Sequence, residues 1–236
     1  MPSPYSSSAA LYDRIYAWKA FADEAGAIRE LVDTLHPGAR TLLDVACGTG
    51  GHLEHLRAHF VVEGIDGSPD MLAVARNKLG DVPLHTGDLR SFALGRRFDV
   101  VTCLFSAIGY VRSTAELDAA IATMARHLAP GGVLLVEPWF TPEQWRPGRL
   151  SGGMSVDTDE LKVARFVVSS TRDRFAVTPM HHLVATKDGV EHFVETHELF
   201  LAEREELEHA FVAAALVDVR YLPDALMRGL WVGTAR

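Results

Sequence analysis

Two textures of apolar and polar positions run along the chain. Up to about residue 138, short and nearly continuous apolar runs alternate with stretches in which apolar residues return every three or four positions. The runs at 41–46, 61–65, 84–86, 99–105 and 133–136 lack the alternation of a strand with one wet face, and they predict strands buried on both sides. Helical spacing predicts helices over 10–35, 52–59, 69–79 and 115–128, the first closed by His36-Pro37-Gly38 and the last by Pro130-Gly131-Gly132. Strand and helix in repeated alternation imply right-handed crossovers, hence a doubly wound α/β fold around a parallel sheet. After Pro138 the texture changes. Residues 140–160 are rich in Pro, Gly and Ser; 163–171, 174–186 and 191–202 then read as long β segments, with Lys187-Asp188-Gly189 a hairpin turn. An antiparallel insertion is expected there, followed by a helix over 203–215 and closing strands at 218–222 and 229–234. The expected divisions are a flexible lead-in (1–9), an α/β core (10–139), the insertion (140–202) and a C-terminal return to the core (203–236).

Composition narrows the class. The 236 residues carry 31 acidic and 23 basic side chains, a net charge of −8, with 48% apolar residues, an ordinary globular make-up able to form a sizeable core. No Lys/Arg block is present, which argues against a nucleic acid or an anionic membrane as partner. No apolar stretch approaches the roughly 18–20 residues of a membrane-spanning helix, and Met1-Pro2-Ser3-Pro4-Tyr5 lacks the plan of a secretion signal, so a cytoplasmic protein is expected. Cys47 and Cys103 lie inside apolar runs and read as small buried hydrophobes rather than as a disulfide or metal ligands.

Chemistry concentrates where the predicted strands end. Asp44-Val45-Ala46-Cys47-Gly48-Thr49-Gly50 puts a glycine-rich turn after the first strand and before a helix, where backbone N–H groups can approach a bound nucleotide-like ligand. A dinucleotide site would want a third glycine where Leu53 stands. Asp44 would oppose a pyrophosphate but attract a sulfonium and an ammonium, so charge favours S-adenosylmethionine over NAD. Asp66, in Gly64-Ile65-Asp66-Gly67-Ser68 at the end of the second strand, suits the ribose hydroxyls. Met71 suits the adenine face, and Gly87-Asp88-Leu89 offers an acceptor and an N–H to the adenine edge. His52, His55 and His59 share one helical face, which an exposed or capping stripe explains better than a metal site.

These motifs, with Pro130-Gly131-Gly132, resemble the successive motifs of class I S-adenosylmethionine-dependent methyltransferases. More narrowly, Leu11-Tyr12-Asp13-Arg14-Ile15-Tyr16, the run Phe98 to Gly109, Glu137-Pro138-Trp139 and Arg228-Gly229-Leu230 resemble the sugar-nucleotide N,N-dimethyltransferases of deoxyamino-sugar biosynthesis, of the desosamine and mycaminose type. The resemblance runs from about residue 10 to the C-terminus and is loosest over 140–200. It implies a Rossmann-like sheet with an antiparallel layer covering the acceptor, donor contacts from Tyr16, Asp44, Ala46, Gly48, Gly50, Asp66, Gly67, Met71, Asp88, Leu89, Leu104 and Ser106, and possible dimerisation. It also implies a thymidine-diphosphate-linked amino sugar as acceptor, one or two methyl groups being added to its amine.

The resemblance places Tyr12, Tyr110 and His181 around the transfer site as candidates for orienting that amine or passing its proton to water, Tyr12 first. Tyr110 stands where the desosamine-type relatives carry a histidine, so it is either a weak proton carrier or a ring packed under the acceptor. His181 lies in a β run with His182, His192 and His197 nearby, which makes a structural role the stronger reading for it. Arg228 matches the family's arginine and suits a phosphate, or is a surface arginine. Trp139 walls the sugar or thymine pocket or packs in the core. Two other functions stay open: a methyltransferase acting on a hydroxyl or amine of a non-nucleotide acceptor, and a non-catalytic donor-binding module.

Overall fold

The computed structural model describes residue 5 and residues 7–236. Helices α1 (Tyr12–Ile15) and α2 (Phe21–Leu35) lead into β1 (Thr41–Val45), α3 (Gly51–Leu56), β2 (Val61–Asp66), α4 (Pro69–Leu79), β3 (Leu84–Thr86), β4 (Phe98–Cys103), α5 (Thr114–Arg126) and β5 (Leu128–Val136). Five strands follow: β6 (Leu150–Asp157), β7 (Leu161–Val168), β8 (Ser170–Arg172), β9 (Phe175–Thr186) and β10 (Gly189–Phe200). Helix α6 (Arg204–Ala213) and strands β11 (Val217–Leu222) and β12 (Leu230–Thr234) close the chain.

The main sheet has seven strands in the order β3-β2-β1-β4-β5-β12-β11, parallel except that β12 runs antiparallel to both neighbours. Continuous apolar runs are explained by covering on both faces. Leu42, Val62 and Val100 pack toward α2, α3 and α4, while their neighbours Leu43 and Val101 pack toward α5 and α6. Strand order reverses between β1 and β4, and in such sheets the crevice outside the carboxyl ends of the strands at the reversal is where ligands bind.

The expected helix over 10–35 is two helices separated by residues 16–20. Its apolar stripe serves two targets: Ile15 and Tyr16 pack with Leu161 and Val163 of the second sheet, whereas Ala25, Ile28 and Val32 pack on the main sheet. One straight axis cannot do both. The break buries Lys19, whose ammonium pairs with Glu24 and sits 4.2 Å from the centre of the Phe105 ring.

The second sheet is antiparallel, ordered β10-β9-β7-β6 with β8 beside β9. Strand β6 lies in the segment rich in Pro, Gly and Ser, where the sequence singled out no strand. Gly152 lets it pair there: its φ is +118°, and a Cβ would come within 1.9 Å of the Arg165 carbonyl oxygen. One face of this sheet, including Val163, Val167 and Ala176, turns inward; Phe166, Val168, Leu183 and Val194 are exposed on the other. Of the expected flexible lead-in, residues 1–4 and 6 lie outside the described residues. Ser8 and Ala9 are buried, and the N–H groups of Ser7 and Ser8 donate to Glu195 Oε1 at 2.9 and 3.2 Å. Among the described residues no helix is long and apolar enough to cross a membrane.

Candidate active site

A cavity of about 1040 Å³ opens between the carboxyl ends of the parallel strands and the inner face of the second sheet. Its wall on the main-sheet side contains Ala46, Gly48, Asp66, Gly67, Met71, Asp88, Leu89 and Leu104. These residues come from four consecutive strand ends, which is why they were readable as motifs.

The glycine turn is braced from the second strand. Gly48 N–H donates to Asp66 Oδ2 at 2.8 Å and Ser68 N–H to Oδ1 at 2.7 Å, so one carboxylate ties the turn after β1 to the start of α4. Burial raises the Asp66 carboxyl above its ordinary range, and these N–H groups pull it back. Ala46 is left-handed at φ 58°, as are Phe105 and Ser106 at the end of β4, so backbone strain collects on both sides of the crevice. At the third strand end the Arg90 side chain grips Asp88 and also reaches Glu116 at 2.8 Å, which holds the Asp88 carboxyl below its usual range.

Tyrosines crowd the middle of the cavity. Tyr12 stacks at a tilt on Tyr16, ring centres 4.6 Å apart, and meets Tyr5 edge-on at 5.2 Å. The Tyr110 oxygen lies 2.8 Å from His197 Nδ1 and 3.1 Å from the Tyr5 oxygen. Burial drives the Tyr12 and Tyr110 phenols well above their ordinary pKa, so neither is a phenolate near neutrality, and each can offer only a neutral hydroxyl. Arg165 donates to the Tyr16 hydroxyl at 2.9 Å with its guanidinium 4.8 Å from that ring's centre.

The remaining end of the wall is aromatic and cationic, with Trp139, Phe140, Trp145, Arg146, Arg149 and Arg228. Arg228 is three-layered into its place: its guanidinium lies 4.6 Å from Trp139 and 5.2 Å from Phe140, and Nη1 stands 3.8 Å from Glu137 Oε1. Glu137 is fully buried; its Oε2 accepts from Phe105 N–H at 2.6 Å and its Oε1 has no hydrogen-bond donor among the described residues. Burial raises the Glu137 carboxyl and lowers Arg228, each opposed by the other's charge.

Four candidates from the sequence stand elsewhere. Asp44 is buried behind the turn, accepts from Thr102 Oγ1 at 2.8 Å, and is pushed up to about 6 by burial. Gly50 caps α3 from behind; it is left-handed, and a Cβ would strike Leu79 at 2.5 Å. Ser106 is buried, donating to the Pro138 carbonyl at 2.6 Å and accepting from Arg228 at 3.3 Å. His181 faces away: its neighbour Met180 lines the cavity, and strand alternation turns His181 to the outer face, where it stacks on His192 with ring centres 5.4 Å apart. The histidine stripe dissolves too, because α3 ends at Leu56 and His52 is buried against Glu24, Nε2 to Oε2 2.7 Å.

Tyr5, Lys19 and His197 went unread in the sequence. Tyr5 sits in a Ser/Pro stretch with no periodicity, and Lys19 looks like any charge on a helix surface. His197 had a usable signal: period-2 counting from the register of β9 and β10 puts it on the inner face opposite Thr178.

A methyltransferase-domain family model matches residues 42–132, the segment that carries the strand-end motifs. The chain is 45% identical over 230 residues, 95% of its length and 89% of the relative's, to a dTDP-3-amino-3,6-dideoxy-alpha-D-glucopyranose N,N-dimethyltransferase of Streptomyces fradiae. The crystal structure of Streptomyces venezuelae DesVI superposes with a TM-score of 0.92 at 43% identity, over 98% of this chain and 99% of that one. CalS10, a SAM-bound amino pentose methyltransferase from Micromonospora echinaspora involved in calicheamicin biosynthesis, gives 0.87 at 39% identity, over 100% and 99%. The chain is an S-adenosylmethionine-dependent N-methyltransferase and belongs to the family of dTDP-amino-sugar N,N-dimethyltransferases.

Proposed function

We propose that this enzyme methylates, twice in succession, the amine of a dTDP-linked amino-deoxysugar in antibiotic-sugar biosynthesis. The observation that carries this reading is the continuity of the cavity: a carboxylate-braced strand-end crevice, a tyrosine cluster and an arginine-aromatic end share one space large enough for two ligands. The crevice fits the donor, because Asp66 keeps free lone pairs beside its two N–H partners, matching a pair of ribose hydroxyls, and Met71 and Leu89 offer an apolar slot for adenine. When bound, S-adenosylmethionine supplies an electrophilic methyl group on a positively charged sulfur.

The chain's own residues supply position. Tyr16 closes the crevice, Tyr12 and Tyr110 hold the acceptor amine by hydrogen bonds, and the second sheet excludes water. Trp139 and Trp145 wall the sugar and thymine, and Arg228 with Arg146 and Arg149 balances the diphosphate charge. Holding amine and donor in register supplies up to about 7–11 kcal/mol in favourable cases, so no strong base is required, and the ammonium formed by each transfer releases its proton to water before the next. Asp44, behind the turn, acts by its negative charge on the donor's cationic tail rather than by contact.

The test is direct. Purified enzyme with S-adenosylmethionine and a dTDP-3-amino-deoxysugar should yield products heavier by one and then two methyl groups in mass spectrometry. No mass change with any 3- or 4-amino sugar nucleotide would remove the acceptor assignment. We also propose a homodimer through the outer face of the second sheet, supported by exposed Phe166, Val168, Leu183 and Val194 on adjacent strands. Leu183→Glu should then halve the mass in light scattering; an unchanged mass, or a monomeric parent, refutes it. The proposed setting is the cytoplasm, where Cys47 and Cys103 stay free thiols as they are here.

A further inference from the structure

Ahead of its first helix the chain is tied to the second sheet by a single side chain. Glu195 stands opposite Met180 in the register of β10 and β9, and its Oε1 accepts from Ser7 N–H at 2.9 Å and Ser8 N–H at 3.2 Å. Its Oε2 is buried without a hydrogen-bond partner among the described residues, the Nε2 of buried His182 standing 3.9 Å away. Those two N–H groups are therefore what the carboxylate has for partners, again among the described residues. Losing both would leave it buried and unpaired, so Glu195 favours the segment lying down on the sheet.

What the tie carries is Tyr5. The Tyr5 ring lines the cavity, meets Tyr12 edge-on at 5.2 Å and lies 4.5 Å from the His197 ring, and its oxygen is 3.1 Å from the Tyr110 oxygen. Its φ of 66° is left-handed, a conformation that a bulky residue keeps only where its surroundings impose it. A second tie, farther along, does not involve Glu195. Asp13 accepts from Thr49 Oγ1 at 2.6 Å and pairs with Lys78 Nζ at 2.7 Å, which fastens α1 to the glycine turn and to α4. Cutting the first tie thus frees Tyr5 while Tyr12 and Tyr16 stay over the donor crevice.

We infer that Glu195 is a positioning residue: by holding Ser7 and Ser8 to the second sheet, it sets Tyr5 between Tyr12 and Tyr110 as part of the acceptor half of the cavity. The inference rests on the proposed placement of the amine beside those two tyrosines. Its consequence is selective, since release of the segment impairs use of the acceptor and spares the donor. The tie needs an accepting oxygen rather than a charge, so a glutamine at this position preserves it.

Proteolysis reads the tie directly. Tyr5 is the one aromatic residue before Tyr12, so chymotrypsin acting there leaves a single product lacking residues 1–5, recognised by its mass. Glu195→Leu should be cut after Tyr5 about tenfold faster than wild type, and Glu195→Gln at nearly the wild-type rate. Equal rates in the Leu variant and wild type overturn the inference. In steady-state assays Glu195→Leu should lower kcat/KM for the amino sugar about tenfold, with the Kd of S-adenosylhomocysteine within about twofold of wild type, and Glu195→Gln should recover most of the loss. Tyr5→Ala should lower kcat/KM as well, and adding Glu195→Leu to it should cost nothing further, because the one residue acts through the other.

Losses that add in the double variant, an equal loss of donor affinity, or faster cleavage with kcat/KM unchanged would each overturn the positioning role. Should Glu195→Leu melt too low to assay, Ser7→Pro removes one donor from the exposed end of the tie without touching the sheet; it should lower kcat/KM about threefold, and no change counts against the inference. Failure of the wild type to methylate any amino sugar nucleotide would overturn the acceptor reading and the positioning role with it, while the proteolysis still shows whether the tie exists.

Discussion

Asp66→Asn separates the brace that this carboxylate provides from the ribose contact proposed for it. The substitution keeps the volume but replaces one accepting oxygen with an NH₂ group. Asp66 accepts from Gly48 N–H at 2.8 Å and Ser68 N–H at 2.7 Å, so the amide leaves one of these buried donors facing another donor. Leaving a buried donor unpaired costs about 1–3 kcal/mol, which for a chain of this size is a fall in Tm of about 2–12 °C. If the carboxylate also takes the ribose hydroxyls, the donor product S-adenosylhomocysteine loses a charge-assisted hydrogen bond worth about 1.5–3 kcal/mol, and its Kd rises about 10- to 150-fold. Calorimetric titration and a thermal melt on the same sample read the two effects independently. A lowered Tm with affinity within about threefold of wild type would mean that Asp66 only braces the turn, and the ribose assignment would be wrong. The pH dependence has a fixed sign: binding needs the carboxylate, and burial lifts the Asp66 pKa above 3.8, so affinity should fall on acidification earlier than for an exposed aspartate.

Three further outcomes follow from the geometry. Lys19→Met removes the buried cation that serves Glu24 and acts on Glu137, and should cost about 3–5 kcal/mol in denaturant unfolding; a loss under about 1 kcal/mol would show those carboxyls to be neutral or otherwise satisfied. His197 takes its proton near 6.5 when unfolded and at about 4 when folded, so the unfolded state binds more protons in that window. Stability should therefore fall as pH drops below 6.5, by up to about 3 kcal/mol from this group near pH 4. Comparing His197→Leu isolates that contribution, and equal acid sensitivity of the two proteins would contradict it. His181→Ala should leave kcat and KM within about twofold of wild type, because its ring lies on the outer face; a tenfold loss in kcat would require a second conformation of β9.

The donor side was legible because each of its elements is local: a turn and the strand end before it lie within a few residues, so Gly48, Asp66 and Asp88 announce themselves by spacing alone. Alternating elements likewise fixed the parallel sheet, since a continuous apolar run is stable only when covered on both faces. Sequence alone could not tell that the stripe over residues 10–35 serves two sheets, nor that a Gly- and Ser-rich segment pairs as β6. In both cases the decisive partner is more than a hundred residues away or a single backbone contact, such as Gly152 against the Arg165 carbonyl.

The acceptor side belonged to the tertiary structure. His181 and His197 are the same residue type in neighbouring strands, and only β register sends one to the solvent face and the other to Tyr110, because shifting a strand by one position exchanges its faces. The sequence by itself determined that glycines and acidic side chains would gather at successive strand ends. Folding decided which side chains line the far side of the cavity, by closing a second sheet and an N-terminal tyrosine over the crevice, contacts between distant segments that no local pattern encodes.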